Sequence, residues 1–335
     1  MNINPFIIAE IGVNHDGSIE KAMHLVAAAK NAGASAAKFQ SFSASRLATE
    51  LTPKVEYQKL RDSKRTHFEM LKELELSFSD QTKIKNYCDS IGIEFMSTPY
   101  AIEDAAFLTS LNIRYFKIAS ADIVDLPLLE FVSRAKKITF ISTGMASVEE
   151  IREAIKIFQA NKSPFILMHT TSEYPTQIEV TNIARLKSLN ELSSGNIGFS
   201  DHTTNSVGAI MATALGCKYF EKHFTLSKSD PGPDHAASLE PDEFKEYVQD
   251  IETAFKVLGS TEFKRTLGEE DMAKTSRKSL HFAHDLREGH KLTQEDLILL
   301  RPGSGLMWSE SEKVLGKLLN KDAAKGTIVK LENLV

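Results

Sequence analysis

The stretch that decides the fold is FIIAEIG (6–12), followed by SIEKAMHLVAAAKNAG (18–33) and AAKFQSF (36–42). Two short apolar runs enclose a segment of helical spacing that ends in glycine, a usual helix stop. A strand, a helix and a second strand in this order predict a parallel βαβ unit.

The same unit recurs along the chain. Further predicted strands are Ile93–Pro99, Tyr115–Ser120, Ile138–Gly144, Phe165–Ser172, Ile197–His202 and Lys218–Thr225. Such a series predicts the α/β class and a (β/α)8 TIM barrel, which takes up ~250 residues. A doubly wound open sheet is the alternative, but one that binds a dinucleotide has a glycine-rich first turn. The first turn here reads EIGVNHDG (10–17), so the barrel is favoured.

Two stretches interrupt the alternation. The polar residues between Ser43 and Ser79 are overlong for a barrel connection, which indicates an active-site loop. A charged stretch, STEFKRTLGEEDMAKTSRK (260–278), precedes short strand-like runs and glycine turns. We therefore expect a barrel domain over residues 1–260, a linker over 261–278 and a small β-rich domain over 279–335.

The composition is that of an ordinary globular protein, with 335 residues and a net charge of -5. No broad basic field exists, so nucleic acid is not an expected partner. Cys88 and Cys217 lack metal-type spacing, which fits a reducing cytosol. The N-terminus has no cationic leader, and no run approaches the ~20 apolar residues of a membrane span. We expect a cytoplasmic protein without a membrane partner.

Polar residues gather where the predicted strands end, and active sites of such barrels lie at that end. Lys38 and Gln40 share one face of their strand, and Ser200 and His202 share one face of theirs, because strand side chains alternate. An unpaired charge inside a barrel costs several kcal/mol, so these groups are expected to serve one another or a polar ligand.

His202 and His223 close neighbouring strands, so both imidazoles could meet one divalent ion. The alternative is a pair of buried histidines held by hydrogen bonds. Asp201, beside His202, is a candidate to orient that imidazole from behind.

Two lysines and several hydroxyls indicate a site for a phosphate-bearing carboxylate. The residues are Lys38, Lys117, Thr98, Ser120, Ser142 and Ser200. A Schiff-base lysine is the rival catalytic interpretation. The plain alternative pairs the lysines with Glu10 and Asp122 as internal ion pairs.

Glu10 lies in an apolar strand, where burial would raise its pKa and suit it to proton transfer. A carboxylate neutralised by a lysine explains the same position equally well. His15 and Asp16 are expected to be ordinary loop residues. The segment PGPDH (231–235) places Asp234 near the mouth of the site, where acidic residues often bind sugar hydroxyls, although a solvated loop is the default.

Nine motifs, in this order, resemble the N-acetylneuraminate synthase family. They are AEIGVNHDG (9–17), AAKFQ (36–40), STPY (97–100), FKIASAD (116–122), ISTGM (141–145), SEYP (172–175), GFSDHT (198–203), EKHFTL (221–226) and GPDHAASLEP (232–241). The stretch HDLREGHKLTQEDLILLRPGSG (284–305) is similar to the antifreeze-like (SAF) domain of that family. The resemblance spans essentially the whole chain.

The resemblance implies a metal-dependent condensation of phosphoenolpyruvate with an N-acetylated amino sugar, giving a nine-carbon 2-keto acid and phosphate. It implies a divalent ion, Mn²⁺ before Mg²⁺ or Co²⁺, on His202 and His223, with Glu10 handling protons. The implied phosphoenolpyruvate ligands are Lys38, Thr98, Lys117, Ser120, Ser142, Ser172 and Ser200. The implied sugar ligands are Gln40, Asp122, Tyr174, Asp234 and Arg301. Arg301 would act across a domain-swapped homodimer.

Three positions depart from the family pattern. Many relatives have Asn where this chain has Ser172 and Ser304, and some have Glu where it has Asp122. The exact sugar therefore stays open between N-acetylmannosamine and 2,4-diacetamido-2,4,6-trideoxymannose, as used by neuraminate and legionaminate synthases. Pseudaminate synthase is the alternative within the family.

Two wider alternatives remain. A phosphoenolpyruvate-condensing synthase for sugar phosphates would need a second phosphate site, for which only Arg46, Arg61 and Arg65 of the long loop are available. A carbohydrate-binding scaffold is the non-enzyme alternative, but a neutral sugar requires neither the lysines nor Glu10.

Overall fold

The computed structural model describes residues 5–54 and 66–335, so Arg61 and Arg65 lie outside the described residues. The chain divides into two compact units, Met1–Gly259 and Ser260–Val335.

The first unit is a closed barrel, which confirms the predicted (β/α)8 class. Its strands are β1 (Phe6–Gly12), β2 (Ala36–Ser41), β3 (Glu94–Pro99), β4 (Tyr115–Ile118), β5 (Ile138–Ser142), β6 (Phe165–His169), β7 (Ile197–Asp201) and β8 (Tyr219–His223). They follow one another in chain order, all parallel, and β8 pairs with β1. Most strands end a few residues before the predicted end. At β4 the cause is visible, because Ser120–Val124 turns into a 3-10 helix.

Helices surround the barrel and follow the predicted alternation. They are α1 (Ile19–Asn31), α2 (Ala44–Leu47), α3 (His67–Glu73), α4 (Phe78–Ile91), α5 (Ile102–Ser110), α6 (Leu126–Arg134), α7 (Val148–Ala160), α8 (Arg185–Ser193), α9 (Val207–Ala214) and α10 (Pro241–Leu258). Local signals fix several starts. Ser18 caps α1 by accepting from the amide of Lys21, and Ser147 and Glu150 form a capping box on α7.

The barrel interior changes from apolar to polar along the strands. A buried cluster plugs the amino-terminal half: Ile8, Ala36, Met96, Tyr115, Phe140, Ile166 and Met168. Two residues further along a strand the inward position is polar, as in the step from Ile8 to Glu10 or from Tyr115 to Lys117. Because side chains alternate, each strand delivers its polar residue to the same level of the barrel.

The long connection after β2 differs from the loop that we expected between Ser43 and Ser79. Residues 44–47 and 67–73 are helical, and Thr66 with Glu69 forms a capping box on α3. Met70, Leu71 and Leu74 pack with Phe42 beside the barrel mouth. The helical spacing of these apolar residues explains why this part is helix rather than open loop.

The second unit has its own apolar core and an antiparallel pair, β9 (Ser279–Phe282) and β10 (Leu297–Leu300). Helix α11 (Leu267–Ser276) occupies most of the stretch that we expected to be a linker, and a capping box of Thr266 and Glu269 begins it. Within residues 5–54 and 66–335, no helix is long and apolar enough to cross a bilayer.

Candidate active site

A buried group of alternating charge lies at the carboxyl end of the barrel. Lys38 Nζ is 2.5 Å from Glu10 Oε2 and 3.7 Å from Glu221 Oε1. Lys117 Nζ is 3.8 Å from the same Glu221 oxygen. Glu221 had no assigned role in the sequence, although period two places it on the face of His223. Lys117 thus contacts Glu221, rather than Asp122 as the ion-pair alternative supposed.

The pKa shifts separate the two carboxyls of this group. Burial raises the pKa of Glu10 to about 7, because it outweighs the attraction of the Lys38 ammonium. Burial acts on Glu221 in the same sense, but the ammonium groups of Lys117 and Lys38 overcome it and lower its pKa. Glu221 is therefore ionised at neutral pH, while Glu10 can exchange a proton near neutral pH.

Hydroxyl groups lie close to the two ammonium groups and to Glu221. Lys38 Nζ lies 3.2 Å from Thr98 Oγ1, and Lys117 donates to Ser142 Oγ at 2.7 Å. Ser200 Oγ donates to Glu221 at 3.3 Å. The structure thus brings the predicted anion-binding residues of five strands into one buried cluster. This cluster can hold a doubly charged ligand.

Ser120 and Ser172 lie beside Gly144, which follows the strand that ends in Ser142. The Gly144 amide donates to Ser120 Oγ at 3.1 Å. A Cβ on Gly144 would lie 2.3 Å from Ser172 Oγ and 2.8 Å from Ser120 Oγ. Only glycine leaves room for both hydroxyls beside the strand end.

The two predicted metal-binding histidines are neighbours. The His202 and His223 rings lie 5.5 Å apart, and the Tyr174 ring is 4.1 Å from that of His202. His202 Nδ1 is 2.8 Å from the carbonyl oxygen of Thr171. Because a carbonyl only accepts, Nδ1 carries the proton and the lone pair of His202 lies on Nε2.

Both imidazoles are in the neutral form that binds metals. Burial lowers the pKa of His202 to about 4 and lowers that of His223 well below its usual value. Among the described residues, buried His223 Nδ1 has no hydrogen-bond partner, and neither has Glu221 Oε2. Two neighbouring neutral imidazoles, each with a ring nitrogen that accepts no proton from the protein, are suited to bind a divalent cation.

Asp201 does not orient His202, contrary to our expectation. It points to the outside of the barrel, where its Oδ2 is 3.2 Å from Lys222 Nζ and its Oδ1 accepts from Thr203. Since side chains alternate, a residue next to an inward histidine must face outward. The carbonyl of Thr171 orients His202 instead.

Two of the predicted sugar ligands, Gln40 and Asp234, lie around Gly12. A Cβ there would lie 3.2 Å from both Gln40 Nε2 and Glu10 Oε1, and 3.6 Å from Asp234 Oδ2. Burial raises the pKa of Asp234 to about 6 and that of Asp122 to about 7. Carboxyl groups with a raised pKa in a polar cavity are suited to hydrogen bonding with hydroxyls.

Tyr100 is a further residue that the sequence did not single out, beyond its place in STPY. It directly follows β3, and its ring packs edge-on against Phe42. Burial raises its pKa well above the usual value, and the charges of Asp122, Glu10 and Asp234 add to this effect. Its phenol therefore faces the same acidic cavity.

Two arginines named from the sequence do not lie on barrel strands. Arg301 follows β10 in the second unit and is exposed. Arg46 pairs with the buried carboxylate of Asp104 at the start of α5. Of the three arginines that the sugar-phosphate alternative would use, it is the one within the described residues, and it already has this partner.

Fold and site together define a (β/α)8 barrel of the enzyme type, with two lysines, two carboxyls and two neutral imidazoles at the carboxyl end of its strands. A family model described as NeuB family matches residues 25–263, and one described as SAF domain matches residues 277–335. The chain belongs to the NeuB family and carries a C-terminal SAF domain.

Named relatives cover nearly the whole chain. It is 40% identical to the N,N'-diacetyllegionaminic acid synthase of Legionella pneumophila, over 98% of this chain and 94% of that protein. It is 34% identical to a pseudaminic acid synthase of Campylobacter jejuni, over 97% of this chain and 95% of that protein. The crystal structure of a sialic acid synthetase from Leptospira borgpetersenii superimposes with a TM-score of 0.72 at 30% identity, covering 81% of this chain and 90% of the other.

Proposed function

We propose that this protein is a sialic-acid-type synthase. It condenses phosphoenolpyruvate and water with the open-chain aldehyde of a 2-acetamido sugar, giving a nine-carbon 2-keto acid and phosphate. One observation carries the proposal: two ammonium groups, two carboxylates and two neutral imidazoles meet at the carboxyl end of one barrel. A scaffold that binds a neutral sugar does not require this arrangement.

The anionic substrate would bind to the lysines and hydroxyls. Lys38 and Lys117 supply positive charge, and the hydroxyl set Thr98, Ser120, Ser142, Ser172 and Ser200 supplies hydrogen bonds. In this buried place, charge-assisted bonds hold the phosphate and carboxylate groups in one orientation. Ser172, where many relatives have Asn, keeps a donor at that position.

Glu10 would move protons during the condensation. Its pKa of about 7 lets it give or take a proton near neutral pH, while the lowered pKa of Glu221 keeps that residue ionised. Gln40 donates to Glu10 at 3.2 Å and so fixes the carboxyl beside the sugar end of the cavity. Asp122, Tyr174 and Asp234 would receive the sugar.

His202 and His223 would hold a divalent ion, Mn²⁺ before Mg²⁺ or Co²⁺. When bound, it supplies Lewis acidity at the sugar aldehyde. The freed lone pair of His202 and the unpartnered nitrogen of His223 support this assignment.

For the sugar we propose 2,4-diacetamido-2,4,6-trideoxymannose first and N-acetylmannosamine second. The first choice rests on the likeness to the Legionella synthase. We also propose a cytoplasmic homodimer in which Arg301 of the partner subunit reaches the sugar.

Phosphate release tests the reaction. The purified chain would be given phosphoenolpyruvate with each acetamido sugar, and with sugar phosphates, with and without a chelator. We expect release with a non-phosphorylated acetamido sugar, loss of release with chelator and recovery on adding Mn²⁺. Glu10→Gln should remain folded and lose turnover. Release only with a sugar phosphate, or release unaffected by Glu10→Gln, would contradict the proposal.

A further inference from the structure

Two motifs in which the proposed chemistry uses only Asp234 lie against each other. VNHDG (13–17) follows β1, and PGPDHAAS (231–238) follows β8. Asn14 Nδ2 donates to the carbonyl of Phe224 at 2.9 Å and to Ser238 Oγ at 2.8 Å. His235 Nε2 lies 3.1 Å from Asp16 Oδ1. Side-chain hydrogen bonds thus join the two loops at two separate places.

His235 is built into this contact. Its side chain is fully buried, and its other nitrogen, Nδ1, lies 2.7 Å from Thr225 Oγ1. A Cβ on Gly232 would lie 2.7 Å from the His235 ring, and Gly232 has φ of +151°. The loop therefore needs glycine in order to close over the imidazole.

The chain supplies its own cation at this contact. Donor atoms of Asp16, Asp230 and His235 lie within 4.8 Å of one another. The ammonium of Lys21 already contacts Asp16 at 2.5 Å and Asp230 at 2.6 Å. The chain's own cation thus occupies this acidic cluster, which serves to hold the loops together.

The contact holds Asp234 through two residues that follow it in the chain. His235 follows it directly, and Ser238 Oγ donates to the carbonyl of Asp234 at 2.7 Å. The Asp234 carboxylate points the other way, into the cavity beside Gly12. Any movement of His235 or Ser238 would displace this carboxylate from the sugar side of the site.

We propose that Asp16 and His235 form a positioning clamp that sets the affinity for the acetamido sugar by holding Asp234 in place. This inference rests on the proposed function for its kinetic consequence. The clamp touches neither Lys38 nor Lys117, so phosphoenolpyruvate binding should not depend on it.

Two substitutions of His235 distinguish the loss of its bond to Asp16 from the loss of its other contacts. His235→Asn can reach Thr225 from the Nδ1 position but not Asp16, whereas the amide nitrogen of His235→Gln can stand where Nε2 stood. We expect His235→Asn to raise KM for the sugar about tenfold, the effect of losing one hydrogen bond to a charged group. KM for phosphoenolpyruvate should stay within about twofold. His235→Gln should restore the sugar KM.

Asp16→Ala should raise the sugar KM as His235→Asn does, and the double variant should add little, because both remove the same bond. Asp80→Asn, which alters an exposed pair with Lys83 on α4, is the matched control and should leave both KM values unchanged. The inference would fail if His235→Asn and His235→Gln had the same effect on KM for the sugar and on KM for phosphoenolpyruvate. It would also fail if both variants only lowered the melting temperature, because the contact would then be merely structural.

Hydrogen exchange of residues 225–240 gives a readout that needs no substrate. Faster exchange in His235→Asn than in His235→Gln supports the clamp, and equal exchange overturns it. If the unmodified protein released no phosphate with any acetamido sugar, the proposed function would fail while this measurement still decided the clamp.

Discussion

Gly12 shows how much one missing side chain contributes to the site. Its φ of +56° lies in the left-handed region, and the ends of Glu10, Gln40 and Asp234 surround the place where a Cβ would be. The residue thus has two separate reasons to be glycine, one of backbone conformation and one of space.

Gly12→Ala should therefore lose sugar affinity as well as stability. Gly92→Ala is the matched control, because Gly92 has φ of +71° and nothing within 4 Å of its Cβ position. We expect each variant to lose about 1 kcal/mol of unfolding free energy from backbone strain. Only Gly12→Ala should raise the sugar KM, by about tenfold or more. Equal kinetics in the two variants would mean that the crowding around Gly12 is without effect.

Asp122 makes stability depend on pH. Burial raises its pKa from 3.8 to about 7 in the folded protein. The unfolded chain then loses the proton first, so the contribution of Asp122 to stability falls as pH rises from about 4 to 7 and stays low above that. Asp122→Asn should stabilise the protein at pH 8 by about 2 kcal/mol, after allowance for the partial exposure of this side chain, and so raise the melting temperature. It should have little effect at pH 4. A gain of equal size at both pH values would refute this assignment.

The ends of β7 and β8 depend on an ion pair behind the site. Lys222 and Asp201 are buried between the barrel and α10, and the Lys222 ammonium lies 5.3 Å from the centre of the Tyr247 ring. These residues directly precede His223 and His202. The pair therefore holds together the two strand ends that carry the imidazoles.

Lys222→Met should be strongly destabilising, because it leaves the Asp201 carboxylate buried without its cation. We expect a loss of about 3 kcal/mol or more in denaturant unfolding. Lys83→Met, which removes the exposed pair with Asp80, should cost less than about 1 kcal/mol. The double variant Asp201→Asn/Lys222→Met should be less destabilised than Lys222→Met alone. Its failure to recover any stability would argue against an electrostatic cause.

At the scale of the whole molecule, the sugar site is proposed to need two subunits. Mixing Glu10→Gln with Arg301→Ala tests this directly. If Arg301 of the partner subunit completes each site, a mixed dimer contains one intact site, and an equal mixture should regain about a quarter of full activity. Each variant alone should stay inactive or weakly active. A mixture no more active than the separate variants would show that Arg301 does not act across subunits.

The alternation of sequence patterns predicted much of the site. Alternation along a strand shows which face a residue occupies, and the order of the strands shows which residues are its neighbours. These two rules identified Lys38, Lys117, His202 and His223. The same rule, applied to Asp201, would have shown that it faces outward. Glu221 and Tyr100 were passed over because a lone polar residue in a strand or turn gives no sign of its partners.

The sequence by itself determined the barrel, its closed order and the level at which polar side chains appear, because these follow from periodicity and chain direction. Tertiary structure decided which groups neutralise one another. Glu221 stands between two lysines, Lys21 fills the acidic cluster of Asp16 and Asp230, and His235 closes one loop on another. Such partners are far apart in the chain, and charge pairing depends on distances that only closure of the barrel sets.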